Sequence, residues 1–305
     1  DIPKNHIDII FLEKSSRDEK NLIKILKLPV LAWKYKKICI SKNIDISLSL
    51  MYRPNFINII SKIFNLKSKI IISERNTPSR VYNDNSLGSK IGNLLIRVLY
   101  PRADLIIPNS KGSAIDLRNN YFIQNDKLKV IENPFDLNFI SKSSDENFIF
   151  PDTTNFNFIM VGRLEKQKRH KLVIEAISQV KNANLLILGQ GQLKEDLLSL
   201  IKKLNLIDRV KIMNFDKNPY KYMSKADCFI LNSIREGFPN VLVEALACGL
   251  PVLSSDCHSG PREILSPKSN ISKKLKNDIE LAEYGILFPE DNLEFLILSI
   301  KKNYQ

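Results

Sequence analysis

A chain of 305 residues is long for a single hydrophobic core and suits two domains. Hydrophobic residues make up 44% and charged residues 26%, as in ordinary globular proteins, and no uncharged run of 18 residues predicts a spanning helix. The four cysteines form no CxxC pair, which argues against a disulfide framework or a zinc site and favours a cytoplasmic protein.

The net charge of +13 is concentrated in the first half. Residues 1–140 hold 23 Lys and Arg against 13 Asp and Glu, whereas residues 141–305 hold 23 against 20. This asymmetry favours an acidic partner, such as an anionic lipid, a diphosphate or a nucleic acid, although a generally lysine-rich composition explains it equally well. No basic and aromatic RNA-recognition motif is present, so no nucleic-acid partner is expected.

In chain order, the first distinctive segment is 20–42, which combines Leu, Ile and Trp with seven lysines. It predicts a basic amphipathic helix kinked at Pro29. Such a helix either lies on an anionic membrane surface or packs its apolar stripe against its own domain. The sequence leaves both alternatives open.

Short apolar runs continue through the first half and predict strands at 7–12, 46–50, 70–73, 105–107 and 129–131. The polar segment 138–155 has no clear period and predicts a linker. We therefore expect an N-terminal domain over 1–140, a linker over 141–155 and a C-terminal domain over 156–305.

The second half alternates strand and helix more regularly. Strands are predicted at 156–161, 185–188, 210–213, 228–231, 251–253 and 286–288. Helices are predicted at 168–181, 192–204, 219–225, 239–248, 260–266 and 292–303. This alternation is typical of a parallel sheet covered on both faces. The two halves thus predict an α/β protein of two Rossmann-like domains, with the active site in the cleft between the domains, beyond the carboxyl ends of the strands.

Two glutamates, Glu236 and Glu244, frame the run EGFPNVLVEA. The strand CFIL ends at Leu231, and Pro239 suits the first turn of a helix. Glu236 is therefore expected on the loop after the strand and Glu244 within the helix. The free N–H groups of the helix start would attract a phosphate, with a sugar held by one carboxylate and a ribose by the other. This arrangement indicates an enzyme that binds a nucleotide-sugar.

The run GRLEKQK (162–168) places Arg163 directly after a strand and Lys168 near the next helix. Arg can grip paired oxygens and Lys adds a point charge, so the two cations suit a diphosphate. A diphosphate gains negative charge as it leaves, and these cations would therefore stabilise the transition state more than the ground state.

Two further runs follow strands in the second half. Gly189 and Gly191 in LGQGQL form either a tight strand-to-helix turn or a close contact with the nucleotide, and the spacing is not GxGxxG. In DCHSGPRE (256–263), Glu263 is either an ordinary first-turn acid or a substrate contact, while a lone His such as His258 is more often a surface residue.

Together with GRLEKQK and GQGQL, the run ADCFILNSIREGFPNVLVEALACGLPVLSSDCHSGPREIL resembles the C-terminal domain of family 4 (group 1) glycosyltransferases, which are retaining enzymes of the GT-B fold. ISERNTP (72–78), ADLIIPNSKG (103–112) and VIENPFD (130–136) are similar to the N-terminal domain of that family. The pairing of SERN with SGPREI most resembles bacterial members that transfer N-acetylgalactosamine or a related hexose to lipid-linked oligosaccharides.

The resemblance implies a role for each matching position. Glu236 would lie beside the transferred sugar, with Arg163 and Lys168 on the donor diphosphate, as the catalytic residues. Glu244 would bind the ribose and Phe215 would lie near the base. The full set of implied donor-binding residues is Gly162, Gly189, Gly191, Phe215, Gly237, Phe238, Asn240, Val241 and Glu244.

The implied acceptor side comprises Arg75, Asn109 and Ser110. Many relatives carry a His where SERN stands here, so an acceptor-side His is not expected, and Arg75 would bind the acceptor's phosphate or steady the donor. A family member would also have a strand and a glycine-rich loop before IDIIFL. The resemblance therefore implies a chain shortened at both ends, with two strands left without their central neighbour.

The expected reaction moves a hexose or N-acetylhexosamine, with the GalNAc type favoured, from a UDP-sugar to a polyprenyl-diphosphate-linked or other glycan in surface polysaccharide biosynthesis. The nucleotide-sugar is a substrate, so no cofactor is expected, and the lack of a DxD motif implies no metal requirement. The basic N-terminal domain would bind the inner face of the cell membrane. The rival hypotheses are a GT-B epimerase or phosphorylase and a non-catalytic anion-binding protein on the same fold.

Overall fold

The computed structural model describes residues 8–13, 21–150 and 154–304. These residues divide into two units. Unit 1 contains the described residues up to Asn109 together with Ser113–Ile131. Unit 2 contains Ser110–Gly112 and the described residues from Glu132 onward.

Unit 1 has a parallel sheet in which β2 lies between β1 and β3. The strands of its described part are β1 (Ile46–Leu50), β2 (Lys69–Glu74) and β3 (Leu105–Pro108). The helices are α1 (Asn21–Leu26), α2 (Leu28–Ser41), α3 (Tyr52–Ile63), α4 (Pro78–Val81), α5 (Leu87–Leu99) and α6 (Lys111–Tyr121). A short 3₁₀ turn, Tyr100–Arg102, follows α5.

The edge strand β1 buries its polar face. Its isoleucine and leucine side chains are exposed, whereas Ser47 and Ser49 are buried. The Ser47 hydroxyl donates to Asn58 Oδ1 at 2.7 Å, and the Ser49 hydroxyl donates to Asn55 Oδ1 at 2.8 Å. These bonds to α3 satisfy the buried hydroxyls, as a water-free interior requires.

The predicted basic helix over 20–42 is two helices, α1 and α2, separated at Lys27 (residue 20 lies outside the described residues). Pro29 lies in the first turn of α2, where the missing N–H costs nothing, and so it does not kink a helix interior. Leu31 is buried where α2 packs against α3, whereas Trp33 is 50% exposed. The packing alternative is therefore observed for one face of α2, and the membrane alternative stays a prediction for the other face.

Two strands predicted in the first half are wrong. Residues 8–12 form no strand, and residue 7 lies outside the described residues. Residues 129–131 run beside β3, where the N–H of Lys129 donates to the Ile106 carbonyl at 3.0 Å, but the pairing here is only an isolated bridge. An apolar run becomes a strand only where a neighbour completes its backbone hydrogen bonds.

Unit 2 has a sheet in the order β6-β5-β4-β7-β8-β10-β9, parallel except for the β10–β9 pair. Its strands are β4 (Phe156–Val161), β5 (Ala183–Leu188), β6 (Val210–Met213), β7 (Cys228–Leu231), β8 (Val252–Ser255), β9 (Glu280–Ala282) and β10 (Gly285–Phe288). The helices described in unit 2 are α7 (Leu137–Ser144), α8 (His170–Ser178), α9 (Lys194–Lys203), α10 (Tyr220–Met223), α11 (Asn240–Ala247), α12 (Pro261–Leu265) and α13 (Leu293–Tyr304).

Helices cover both faces of this sheet, as the alternation predicted. One core joins Phe158 of β4 to residues of α8, α9 and α13. A second core joins the next residue, Ile159, to residues of α10, α11 and α12. Successive side chains of a strand point to opposite faces, so the central strands carry apolar side chains on both faces.

The boundary between the units differs from the predicted one. It lies at Ile131, upstream of the predicted linker over 141–155, and the beginning of that linker belongs to α7. The side chain of Asp136 caps α7 by accepting from the Phe139 N–H at 2.9 Å. The cap stabilises a helix in a segment whose composition had suggested none. Strand β9 was also missed.

Candidate functional site

The carboxyl ends of the parallel strands of unit 2 carry most of the predicted residues. From β4 the chain continues through β5 and β6 on one side, and it then returns to β7 on the other side of β4. The ends of β4 and β7 therefore flank the point where the strand order reverses, which is where open α/β sheets bind their ligands.

Lys168 and Glu236 meet at this point. The Lys168 ammonium donates to Glu236 Oε1 at 2.6 Å, and the side chains are 17% and 11% exposed. The adjoining loops are tied together, because Gln167 Nε2 donates to the Arg235 carbonyl at 2.7 Å and the Ile234 N–H donates to the Gln167 carbonyl at 2.9 Å. The sequence named both charged residues but assigned them to different parts of a donor, without foreseeing their contact.

Arg163 stands apart from this pair. It follows β4, its side chain is 72% exposed, and its guanidinium contacts Glu165 at 3.0 Å. An exposed ion pair of this kind contributes little to stability, so the guanidinium can exchange its partner at small cost. The structure therefore brings Lys168 to Glu236 but leaves Arg163 on the open side of the same loop.

The turn between Lys168 and α8 is held in an uncommon conformation that the sequence did not reveal. Arg169 has φ 48° and ψ 40°, the left-handed region that costs a non-glycine residue about 1 kcal/mol. Its carbonyl accepts from Asn232 Nδ2 at 3.4 Å, and its guanidinium contacts Asp291 at 3.4 Å. The next residue, His170, is buried, and burial followed by the nearby Lys168 charge lowers its pKa to about 4.

The glycines of LGQGQL pack against the loop that follows β4. A Cβ on Gly189 would lie 1.9 Å from the Gly162 carbonyl oxygen, and a Cβ on Gly191 would lie 2.5 Å from the Leu164 carbonyl oxygen. Gly162 itself is less restricted, since its Cβ would make an ordinary contact with Lys168 at 3.5 Å. Gly189 and Gly191 thus pack closely against the loop that carries Arg163, which supports the tight-turn alternative.

The run from Glu236 to Glu244 forms the loop and helix that the sequence predicted. Helix α11 begins at Asn240 after Pro239, and Glu244 lies one turn along it. Glu244 is half-buried, and burial raises the pKa of its carboxyl group. The carbonyl of Gly237 accepts from the Ser259 hydroxyl at 2.9 Å, which fixes the loop before the helix.

Side chains from the segment before α7 cover the start of α11. The Phe135 and Phe238 ring centroids lie 6.4 Å apart, and Asn133 donates to the side-chain oxygen of Asn240. Val241 is half-buried beside them. These contacts fix Phe238 and Asn240, two of the three helix-start positions that the resemblance assigned to the donor.

The loop after β6 presents one exposed aromatic ring. Phe215 is 60% exposed, whereas the next residue, Asp216, is tied down. Asp216 accepts from the Asn218 N–H at 2.9 Å and from the Tyr222 hydroxyl at 2.8 Å, and its carboxylate contacts Lys221 at 3.1 Å. Phe215, which the resemblance placed near the base, thus has an available surface, whereas Asp216 is engaged by its neighbours.

The DCHSGPRE run contains a buried ion-pair network that sequence reasoning missed. Arg262 and Asp256 are 2% and 1% exposed and form a bidentate pair, with Nε–Oδ1 at 3.0 Å and Nη2–Oδ2 at 2.7 Å. Arg262 Nη1 also donates to both oxygens of Glu280, at 3.1 and 3.0 Å. Burial opposes ionisation of Glu280, but hydrogen bonds from Lys273, Arg262 and Ser266 lower its pKa to about 2.

Glu263 acts as a helix-capping acid. Its carboxylate accepts from the Gly260 N–H at 3.1 Å, from the Lys111 N–H at 2.7 Å and from the Gly112 N–H at 3.0 Å. These bonds favour the first-turn alternative over a substrate contact. His258 is half-buried and pairs with Arg235 in an isolated bridge.

The three acceptor-side residues fall into both units. Arg75 and Asn109 belong to unit 1, where Asn109 Nδ2 donates to the Arg75 carbonyl at 3.4 Å. Ser110 belongs to unit 2, where its hydroxyl bonds that of Ser259 at 2.7 Å. Ser110 thus groups with unit 2, although it lies within the range 1–140 expected for the N-terminal domain.

Comparisons with known protein families identify the class of protein to which this site belongs. The family model for glycosyl transferases group 1 matches residues 142–302, and that for Glycosyltransferase Family 4 matches residues 18–139. The chain belongs to this family and is a hexosyltransferase, as the motifs predicted.

The chain is 41% identical over 295 residues to the N-acetylgalactosamine-N,N'-diacetylbacillosaminyl-diphospho-undecaprenol 4-alpha-N-acetylgalactosaminyltransferase of Campylobacter jejuni, covering 96% of this chain and 76% of that protein. It is 36% identical over 250 residues to an uncharacterized glycosyltransferase of Methanocaldococcus jannaschii, covering 78% of this chain and 61% of that protein.

Solved structures show the same fold. HepE of Anabaena in complex with UDP matches with a TM-score of 0.67 at 20% identity, covering 90% of this chain and 72% of that one. Sucrose-phosphate synthase of Thermosynechococcus elongatus matches with a TM-score of 0.74 at 17% identity, covering 93% and 70%. The predicted α/β architecture of the GT-B type is therefore confirmed.

Proposed function

We propose that this protein transfers a hexose or N-acetylhexosamine, with N-acetylgalactosamine favoured, from a UDP-sugar to a polyprenyl-diphosphate-linked glycan with retention of configuration. The observation that carries the proposal is the Lys168–Glu236 pair, set at the ligand-binding edge of a chain that belongs to the group 1 glycosyltransferases. The 41% identity to the Campylobacter N-acetylgalactosaminyltransferase supports the sugar and the acceptor class, and the UDP complex of HepE supports the nucleotide.

In this proposal, the donor diphosphate binds Lys168 and Arg163. Lys168 has three N–H donors, so it can bind a phosphate oxygen while it stays bonded to Glu236. Arg163 is exposed and can turn to a second oxygen. As the bond from the sugar to the diphosphate breaks, negative charge grows on the phosphate, and both cations stabilise it.

The carboxylates have separate roles. Glu236, held in place by Lys168, orients the transferred sugar, and Glu244 accepts hydrogen bonds from the ribose hydroxyls. The backbone of Gly237, Phe238 and Asn240 meets the sugar and phosphate at the start of α11. The leaving phosphate takes the proton of the attacking acceptor hydroxyl, so the reaction needs no further general base.

The test is UDP release from a panel of UDP-sugars in the presence of a polyprenyl-diphosphate-linked glycan. Release with one donor, dependent on the acceptor and abolished by Glu236→Ala, is the expected result. No release with any donor would refute the proposal. Conversion of the donor to its epimer without any acceptor would instead identify an epimerase.

We also propose that the reaction is metal-independent, because Lys168 and Arg163 supply the positive charge that a divalent cation would otherwise bring to the diphosphate. Transfer should therefore continue at an unchanged rate in excess EDTA. A rate that falls in EDTA and returns with added Mg²⁺ or Mn²⁺ would contradict this.

The acceptor's lipid requires a membrane, and we propose that unit 1 binds its anionic inner surface. Val30, Trp33, Lys37 and Ile40 lie at helical spacing on the face of α2 that is not packed on α3, and the three apolar members are 50–57% exposed. We call these four residues the outer face of α2. The Lys37 ammonium lies 3.6 Å from the centroid of the Trp33 ring. Exposed apolar and basic side chains on one face are typical of interfacial helices.

Two further observations concern membrane attachment. Among residues 8–13, 21–150 and 154–304, no helix is both long and apolar enough to cross a membrane. The lysine-rich first half carries most of the net charge. This charge supports attachment of unit 1 to an anionic surface, at the cytoplasmic side in this proposal.

Because Trp33 is the chain's single tryptophan, its fluorescence reports directly on the outer face of α2. Vesicles containing phosphatidylglycerol should shift its emission to shorter wavelength at low salt, and Val30→Asp should abolish the shift. Lys202→Gln, at an exposed lysine of unit 2, lowers the net charge by one unit as Val30→Asp does, and this control should leave the shift unchanged. No shift with the unsubstituted protein would contradict membrane binding through this face.

A further inference from the structure

Glu74, the last residue of β2, is a buried acid that neither the sequence hypotheses nor the donor site used. Its side chain is 0% exposed. Oε1 accepts from the N–H groups of Arg75 and Asn76 at 3.0 and 3.1 Å, and Oε2 accepts from the Tyr100 hydroxyl at 2.8 Å. Within the described residues, no Lys or Arg forms an ion pair with this carboxylate. A buried carboxyl group without a cation is costly and calls for an explanation.

The hydrogen bonds of Glu74 hold the turn that follows β2. Two successive backbone N–H groups point back at one carboxylate oxygen. From the end of β3, the Asn109 N–H donates to the Glu74 carbonyl at 3.1 Å and the Asn109 side chain donates to the Arg75 carbonyl at 3.4 Å. Residues 74–76 are thus bound through both their donors and their acceptors, so their path is strongly determined.

The Arg75 side chain projects from this turn. It is half-buried, and in the part of the chain that the structure describes, its guanidinium makes no hydrogen bond or ion pair. An arginine without a protein partner, on a backbone held this firmly, is suited to an anionic ligand such as a phosphate.

We propose that Glu74 is a positioning residue, whose carboxylate fixes the turn at residues 74–76 and thereby aims Arg75 at the diphosphate of the lipid-linked acceptor. This inference rests on the proposed acceptor. It deepens that proposal by assigning the binding of the acceptor phosphate to Arg75 and the alignment of Arg75 to Glu74. Glu74 itself is enclosed and touches no substrate.

The surroundings of Glu74 make the arrangement sensitive to pH. Tyrosines from four elements face it: Tyr52 of α3, Tyr82 after α4, Tyr100 of the 3₁₀ turn and Tyr121 of α6. In the described part of the chain, no Lys or Arg pairs with its carboxylate. Burial raises the pKa of Glu74 to about 7, against hydrogen bonds that favour the charged form. The ionised form accepts all three bonds, whereas the protonated form must turn one oxygen into a donor. The turn is therefore held more firmly above pH 7 than below it.

The experiment compares Glu74→Gln with the unsubstituted protein by two readouts. The first is hydrogen exchange of the Arg75 and Asn76 amides, which needs no substrate and should accelerate about tenfold, because a neutral acceptor binds an N–H more weakly than a carboxylate does. The second is the KM for the lipid-linked acceptor, which should rise about tenfold with the donor KM unchanged. In the unsubstituted protein, kcat/KM for the acceptor should rise between about pH 6 and 8, one pH unit either side of the Glu74 pKa. This rise should be absent in Glu74→Gln.

Two further variants make the outcomes decisive. Asp116→Asn neutralises another buried acid of unit 1, one that binds the Ser79 N–H, and it should leave both readouts unchanged. Arg75→Ala should raise the acceptor KM as Glu74→Gln does, and the double variant should be no worse than Arg75→Ala alone. Tyr100→Phe removes a hydrogen bond that favours ionised Glu74, so it should shift the pH profile to higher pH.

Unchanged amide exchange in a folded Glu74→Gln variant would overturn the inference, as would faster exchange with an unchanged acceptor KM. An equal effect of Asp116→Asn would also overturn it, since the cause would then be general destabilisation. If the unsubstituted protein transfers no sugar to any lipid-linked acceptor, the proposed function fails, and the acceptor role of Arg75 fails with it. The exchange data would still decide whether Glu74 holds the turn.

Discussion

Two acid–base pairs lie at neighbouring strand ends of unit 2 and differ in how fully their donors are used. After β8, the Asp256–Arg262 pair is 1% and 2% exposed, and the three guanidinium nitrogens all donate to Asp256 or Glu280. After β7, Glu236 pairs with Lys168, which is 17% exposed and, among the described residues, has this single hydrogen-bond partner.

The difference separates an ion pair that builds the fold from one that can bind a substrate. A saturated, buried pair has nothing left to offer a ligand, whereas a pair with spare N–H donors at an open edge can bind one without being broken. Proximity to the site is therefore a weaker guide to function than unused hydrogen-bonding capacity. Four substitutions or conditions test this distinction, in order of decreasing expected effect.

Arg262→Ala should lower the free energy of unfolding by about 3–5 kcal/mol, because it leaves the buried Asp256 carboxylate without its cation. Urea unfolding followed by circular dichroism measures the change. Lys268→Ala is the control: its ion pair with Glu283 is exposed, so the loss there should stay below about 1 kcal/mol. An equal loss of unfolding free energy in the two variants would contradict the distinction between buried and exposed ion pairs.

Glu236→Gln should reduce kcat by about 10²–10³-fold, or roughly 3–4 kcal/mol, because the transferred sugar and Lys168 lose the charge that orients them. The free energy of unfolding should change far less than in Arg262→Ala. Steady-state kinetics and urea unfolding on the same preparation check both statements. Glu175→Gln, on the surface of α8, should leave kcat unchanged. If Glu236→Gln mainly unfolds the protein, the pair is structural and the distinction fails.

Arg163→Ala should weaken donor use by about 1.5–3 kcal/mol in kcat/KM, the scale of a hydrogen bond to a charged group. Stability should not change, because the side chain is 72% exposed. Lys166→Ala, an exposed cation on the same loop, provides the matched control and should retain wild-type kcat/KM. Similar losses in both variants would mean that the loop attracts the donor only through its overall charge.

Acid should weaken the structural network through Glu280. Its folded pKa of about 2 lies below the ordinary value of 4.5, so its contribution to stability is present above pH 4.5 and is lost as the pH falls towards 2. The free energy of unfolding, followed from pH 5 to pH 2, should therefore fall more for the unsubstituted protein than for Glu280→Gln. Parallel pH curves would show that the Arg262 network does not depend on this charge. We expect this effect to be the smallest of the four.

The fold was largely predictable because periodicity reports local structure. The strands at 210–213 and 228–231 were predicted with the observed bounds. The run CFIL at 228–231 is uninterrupted and apolar, which suits a strand buried on both faces. The strand at 129–131 was not, because an isolated bridge and a ladder require the same side chains and differ only in what lies alongside. The cap by Asp136 likewise outweighed composition in the predicted linker.

For the site, the sequence by itself determined the chemistry, and only the tertiary structure decided the partners. Motif spacing put Arg163, Lys168 and Glu236 at strand ends, because strand and helix periods depend on neighbouring residues alone. Lys168 bonds Glu236, Arg262 pairs with Asp256, and Glu74 lies buried with no cation paired to it among the described residues. These outcomes depend on which strands become neighbours and how deeply each loop is covered. Burial and pairing set the energy of a charge, and both arise from residues far apart in the chain.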